Sequence, residues 1–110
     1  MPTMTDVQSV GANAKTGNVL AGKNFEFAPA PSIVNVYAVG SAVGLNIDVL
    51  VGGESIVSDE EISGANRFPQ TDTDLLARTG ASQGDRIFVA FRNTTAGAIT
   101  ANLLVEVLPL

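Results

Sequence analysis

Residues Gly44–Val57 read GLNIDVLVGGESIV. Leu45, Ile47, Val49 and Val51 alternate with Asn46, Asp48 and Leu50, so an extended chain sends the first four to one side. Gly52-Gly53 follows, and paired glycines accept the positive φ that a primed two-residue turn requires. Glu54–Ser58 then predicts the return strand. This stretch is an antiparallel hairpin in its own right, and it sets the chain on an all-β reading.

Working outward, Ser32–Val39 (SIVNVYAV) is rich in β-branched residues and predicts a strand. Gly40–Gly44 (GSAVG) is the expected hairpin connection to Leu45–Val51. Further upstream, PAP at Pro29–Pro31 marks a corner, because proline donates no ladder hydrogen bond and restricts its predecessor. Lys23–Ala28 (KNFEFA) alternates Phe25 and Phe27 with Asn24 and Glu26, the pattern of a half-buried strand. Met1–Gly22 is rich in small polar residues, with Val7, Val10, Val19 and Leu20 as its apolar anchors. It reads either as an arm or as a first short strand, and composition does not separate the two.

Downstream, Asp59–Ser63 (DEEIS) suits a helical turn or a tight loop, with Asp59 as an N-cap. Gly64–Gln70 reads as irregular chain or a short edge strand. Thr73–Thr79 (TDLLART) suits another helical turn, capped by Thr71-Asp72 and closed by Gly80. Arg86–Asn93 (RIFVAFRN) and Ala98–Leu108 (AITANLLVEVL) predict two strong strands joined through Thr94–Gly97 as a hairpin. Six to eight short strands at this spacing favour an antiparallel β-sandwich or barrel over βαβ units, and the sandwich is the fold expected here. The long Ser58–Gly84 connection suits a Greek-key or jelly-roll path. The domain proper is residues 23–110, preceded by residues 1–22.

The chain has 110 residues, suiting one domain. Only 15% of them are charged, against roughly 25% in an average domain. Much of the surface is therefore neutral or covered. The net charge is −5, with six scattered basic residues, which argues against nucleic acid and anionic membranes as partners. No apolar run approaches the length of a membrane span, and no secretory signal is visible at the N-terminus. With no cysteine and no histidine, disulfides, thiolate nucleophiles, Cys/His zinc sites and imidazole triads are excluded. Asp59, Glu60, Glu61, Asp72, Asp74 and Asp85 match neither a calcium loop nor a defined carboxylate pair. They read as a solvated charge run, so no enzyme activity and no cofactor are expected. Asn93-Thr94-Thr95 is a glycosylation sequon that reads better as a turn.

The expected core is Leu45, Ile47, Val49, Val51, Ile87, Val89, Phe91, Ile99, Ala101, Leu103, Val105 and Val107. The opposite strand faces are the problem. Phe88, Ala90 and Leu104 occupy their middles, joined by Leu50 and by Val34 and Val36, or Tyr37 if the register is reversed. Burying each large side chain is worth roughly 1.5–3 kcal/mol, and a contiguous exposed patch is uncommon. Either the arm or the Ser58–Gly84 connection covers that face, or another subunit does. In the second case Leu50, Phe88, Ala90 and Leu104 form the interface, inside a polar rim of Asp48, Arg86, Arg92 and Glu106.

The small-residue arm, the PAP corner, the GLNIDVLVGGESIV hairpin and the sparsely charged RNTTAGAITANLLVEV stretch together resemble small all-β virion proteins of icosahedral bacteriophages. These are decoration or cement proteins and minor jelly-roll capsid components. The resemblance implies a non-enzymatic structural protein, synthesised in the host cytoplasm and built into the virion. It would form a symmetric homo-oligomer, a trimer for instance, against the major capsid protein, with its arm adding a strand to a neighbour. The alternative is a soluble glycan- or peptide-binding sandwich whose Ser58–Gly84 loop holds the ligand. The absence of tryptophan and the single tyrosine, Tyr37, weaken the glycan form.

Overall fold

A computed structural model describes residues 3–22, 26–28, 30–70 and 74–109. Their strands are β1 (Thr3–Val10), β2 (Ser32–Gly40), β3 (Leu45–Val51), β4 (Glu54–Glu61), β5 (Leu75–Ala81), β6 (Ile87–Asn93) and β7 (Ile99–Pro109). All pairings are antiparallel. They form a four-stranded sheet, β1-β7-β2-β5, and a three-stranded sheet, β4-β3-β6.

The path follows from the central turn. Gly52 and Gly53 both have positive φ, 61° and 84°, as the paired glycines require. From that tip the two halves of the chain pair in nested order. β3 takes β4, β2 takes β5, residues 13–22 and 26–28 run along β6, and β1 takes β7. One long antiparallel ribbon is thus rolled up, with β2 against β7 and β3 against β6 closing the roll. This is the jelly-roll path, with residues 13–22 and 26–28 in the place of an eighth strand.

The core lies between the sheets. Leu45, Ile47 and Val49 of β3 meet Val34, Val36 and Ala38 of β2. Ile87, Val89 and Phe91 of β6 meet Ile99, Ala101, Leu103, Val105 and Val107 of β7. All twelve residues expected in the core are buried there. Val10 and Leu20, from the first 22 residues, are buried in the same cluster.

Four local expectations are corrected. Gly40–Gly44 and Thr94–Gly97 are not hairpin turns, because each link carries the chain from one sheet to the other. Asp59–Ser63 is not a helical turn, because β4 continues to Glu61 and pairs with β3 through two bulges. Asp59 holds a left-handed φ of 52° within the first of these, a conformation aspartate tolerates. Leu75–Ala81 is a strand, not a helix, because pairing with β2 overrides the helical propensity of LLAR. Gly80 lies inside that strand instead of closing a helix. Of the expected KNFEFA strand, Lys23, Asn24 and Phe25 lie outside the described residues, as do Pro29 of the corner and the Thr71–Thr73 cap. Phe27 forms a single bridge to Arg86.

Candidate interaction surface

β6 and β7 belong to different sheets, so the four expected interface residues do not share a surface. Leu50, Phe88 and Ala90 stand on the outer face of the three-stranded sheet, where Leu50 pairs with Phe88 and Asp48 with Ala90. Leu104 stands on the outer face of the four-stranded sheet, between Thr5 and Tyr37. The full thickness of the sandwich separates it from the other three. Val34 and Val36 point into the core, and Tyr37 points out.

The outer face of the three-stranded sheet is laced by long cations. Lys15, opposite Arg92 on the far side of β6, reaches Asp48 on β3 at 3.4 Å. Its side chain therefore crosses β6, and Ala90, beside Asp48, is buried. Arg92 crosses β3 to meet Asp59 on β4, with Nε 3.0 Å from Oδ1. Asn46 donates to the same carboxylate, and the Asp59 N–H donates to Asp48 at 2.6 Å. Hydrogen bonds from Arg92 and Asn46 hold the Asp59 carboxyl below its usual range. Arg86 lies 5.9 Å over the Phe88 ring and donates to Glu26 at 2.9 Å. The Gly22 N–H, and then Arg86, lower the Glu26 carboxyl. Asp48, Arg86 and Arg92 are thus tied within the chain. Phe27, beside Arg86, is 53% exposed at the end of this face.

The outer face of the four-stranded sheet is built differently. After β4, residues 62–66 pass over the β2–β3 link. Ile62 N–H donates to Leu45, Gly40 N–H to Ser63, and Asn66 N–H to Gly40. The crossing is so close that a Cβ on Gly64 would stand 2.5 Å from the Ala42 backbone. The strap then reaches β7, where Asn102 donates to the Arg67 carbonyl at 3.3 Å. Arg67 pairs with Asp74, which also accepts from the Gln70 N–H. At this level Val39 and Tyr37 are buried although both point away from the core. Tyr37 donates to Glu106 at 2.6 Å. Burial first, and then the Glu106 carboxylate, push the phenol pKa up to about 12. Asn35, 4% exposed, places Nδ2 3.5 Å from Glu106, and its Oδ1 has no partner among the described residues.

Around the strap this face carries open apolar side chains beside exposed Thr5, Ser9 and Arg78. Val7 is 60% exposed beside Asn102, Phe68 is 48% exposed next to Arg67, and Leu75 is 46% exposed beside Tyr37. Leu104 lies half-buried among them. Sequence reasoning missed Val7, Phe68 and Leu75 because it read their segments as arm, loop and helix. Asn93 of the sequon is buried. Its amide donates to Val10 and Gly97 carbonyls, and its oxygen accepts from Thr95. It anchors the crossing from β6 to β7.

No family model, curated protein or solved structure matches this chain.

Proposed function

We propose that this chain is a non-enzymatic structural protein that works by assembling with copies of itself. Its place would be as a decoration, cement or minor capsid component of an icosahedral phage virion, held against the major capsid protein. The observation that carries the assembly reading is the outer face of the four-stranded sheet, where Val7, Phe68 and Leu75 are about half exposed or more around Leu104. Such clustered apolar surface marks association sites. The jelly-roll path and the low charge support the virion form, because capsid components commonly use that path and a lattice covers much of each subunit.

Native mass at micromolar concentration tests the assembly reading. The unaltered chain is expected as a discrete oligomer, and Leu75→Lys is expected to leave a monomer of unchanged strand content. A monomeric unaltered chain overturns the reading. Co-sedimentation with purified phage shells lacking this protein tests the virion form. Saturable binding supports it, and no binding at any concentration overturns it.

A further inference from the structure

The outer face of the four-stranded sheet is arranged in rows about β2. Arg78 on β5 and Glu106 on β7 flank Asn35. One step toward the strap, a register shift at Val36/Tyr37 brings Leu75 into line, so that Leu75 and Leu104 flank Tyr37. One step the other way, Gly80 and Leu108 flank Ile33. Alternate residues of a strand share a face, so the three rows look outward together.

The middle row is left electrically open. The Arg78 side chain is exposed and forms no ion pair among the described residues. Tyr37 and Asn35 both donate to Oε1 of Glu106, and neither donates to Oε2. Asn35 Oδ1 is buried with no donor among the described residues, a costly state for an acceptor. On the other sheet Arg92 spans two strands to reach Asp59. Arg78 stands at the same two-strand remove from Glu106 and does not close the gap.

We propose that two copies pack these faces together about a two-fold axis along β2, so that Arg78 of each chain reaches Glu106 and Asn35 Oδ1 of the other. Such an axis, lying between the faces, exchanges the strands that flank β2. It sets Arg78 of each copy over Glu106 of the other and Leu75 over Leu104. It also sets Leu108 over Gly80, where the missing Cβ leaves open space. One operation makes all three rows complementary, as a self-matching interface requires. An axis across the strands at the middle row would set each charge against its own copy, a costly arrangement. The two straps come to the same end of the contact and set the spacing of the sheets there. The inference deepens the assembly reading and rests on it for its purpose, but its test is separate.

Full-length chains carrying tags of two sizes are compared by native mass spectrometry. The unaltered chain is expected as a dimer or as an assembly of dimers. Arg78→Glu and Glu106→Arg should each weaken it roughly a hundredfold or more, because like charges then face each other. An equal mixture of the two single variants should restore it, with mixed pairs only. A monomer of the unaltered chain at every concentration overturns both readings. An odd-numbered oligomer, a mass that neither reversal alters, or a loss that mixing does not rescue overturns the two-fold and leaves assembly standing. Glu106 also holds Tyr37, so if its reversal unfolds the chain, cysteines give a second route, the chain having none of its own. A short bifunctional thiol reagent should link Leu75→Cys chains to Leu104→Cys chains and neither population to itself. The absence of that mixed link overturns the proposal.

Discussion

The two outer faces of the sandwich solve the same problem in different ways. On the three-stranded sheet, Lys15, Arg92 and Arg86 reach across strands to Asp48, Asp59 and Glu26. Their stems lie over small or flat neighbours such as Ala90 and Phe88, as long cations do on apolar surface. Six of the eleven acids (Glu26, Asp48, Glu54, Asp59, Glu60 and Glu61) belong to this sheet or to the segment along its edge. Among the described residues, only Asp6 and Glu106 of the acids lie in the four-stranded sheet. There a strap of backbone covers Val39 and Tyr37, and it leaves Val7, Phe68 and Leu75 open. Charge that reaches sideways makes a face self-sufficient. Cover supplied by a single strap stops where the strap stops.

The largest expected effect separates the faces directly. Leu104→Lys should convert an oligomer to monomer, measured by light scattering, while circular dichroism stays unchanged. Phe88→Lys should leave the mass untouched. Dissociation by Phe88→Lys instead would exchange the roles of the two faces. Next in size is Tyr37→Phe, which removes the hydroxyl donor to Glu106 beneath the strap. A partly buried carboxylate left short of a donor costs about 1–3 kcal/mol, read as a lower urea midpoint at constant slope.

The same tyrosine gives a pH signature. Its folded pKa lies above that of the unfolded chain, so its contribution is complete below pH 10. That contribution is lost as pH rises toward about 12. The whole interval corresponds to roughly 3 kcal/mol. Tyr37 is the only tyrosine and there is no tryptophan, so tyrosinate absorbance reports it alone. A midpoint near that of free tyrosine would mean the strap does not seal this face. The smallest effect belongs to the ionic face. Asp59 has a depressed folded pKa, so its contribution is present above the ordinary carboxylate range and fades as pH falls through the folded value. Asp59→Asn should lower the urea midpoint slightly at low salt, and high salt should erase the difference.

Period-two alternation in β3, β6 and β7 and the paired glycines at 52 and 53 were legible, because each is a local property of consecutive residues. Those features place the tip of the ribbon and all twelve expected core positions. The bulged run of acids in β4 and the LLAR of β5 were not legible. There, local propensity favours helix, and only a partner strand reverses it. The surface was misread for a related reason. The links after β2 and β6 are short enough for hairpins yet carry the chain between sheets, and nothing in Thr94–Gly97 distinguishes an arch from a hairpin.

Sequence by itself therefore determined the all-β class, the central turn and which side of each strong strand is buried. Tertiary structure alone decided which strands share a sheet, and hence that Leu104 and Phe88 look in opposite directions. The physical reason is that alternation fixes a side chain's direction relative to its own strand. Its neighbours across the surface depend on pairings made by residues far along the chain.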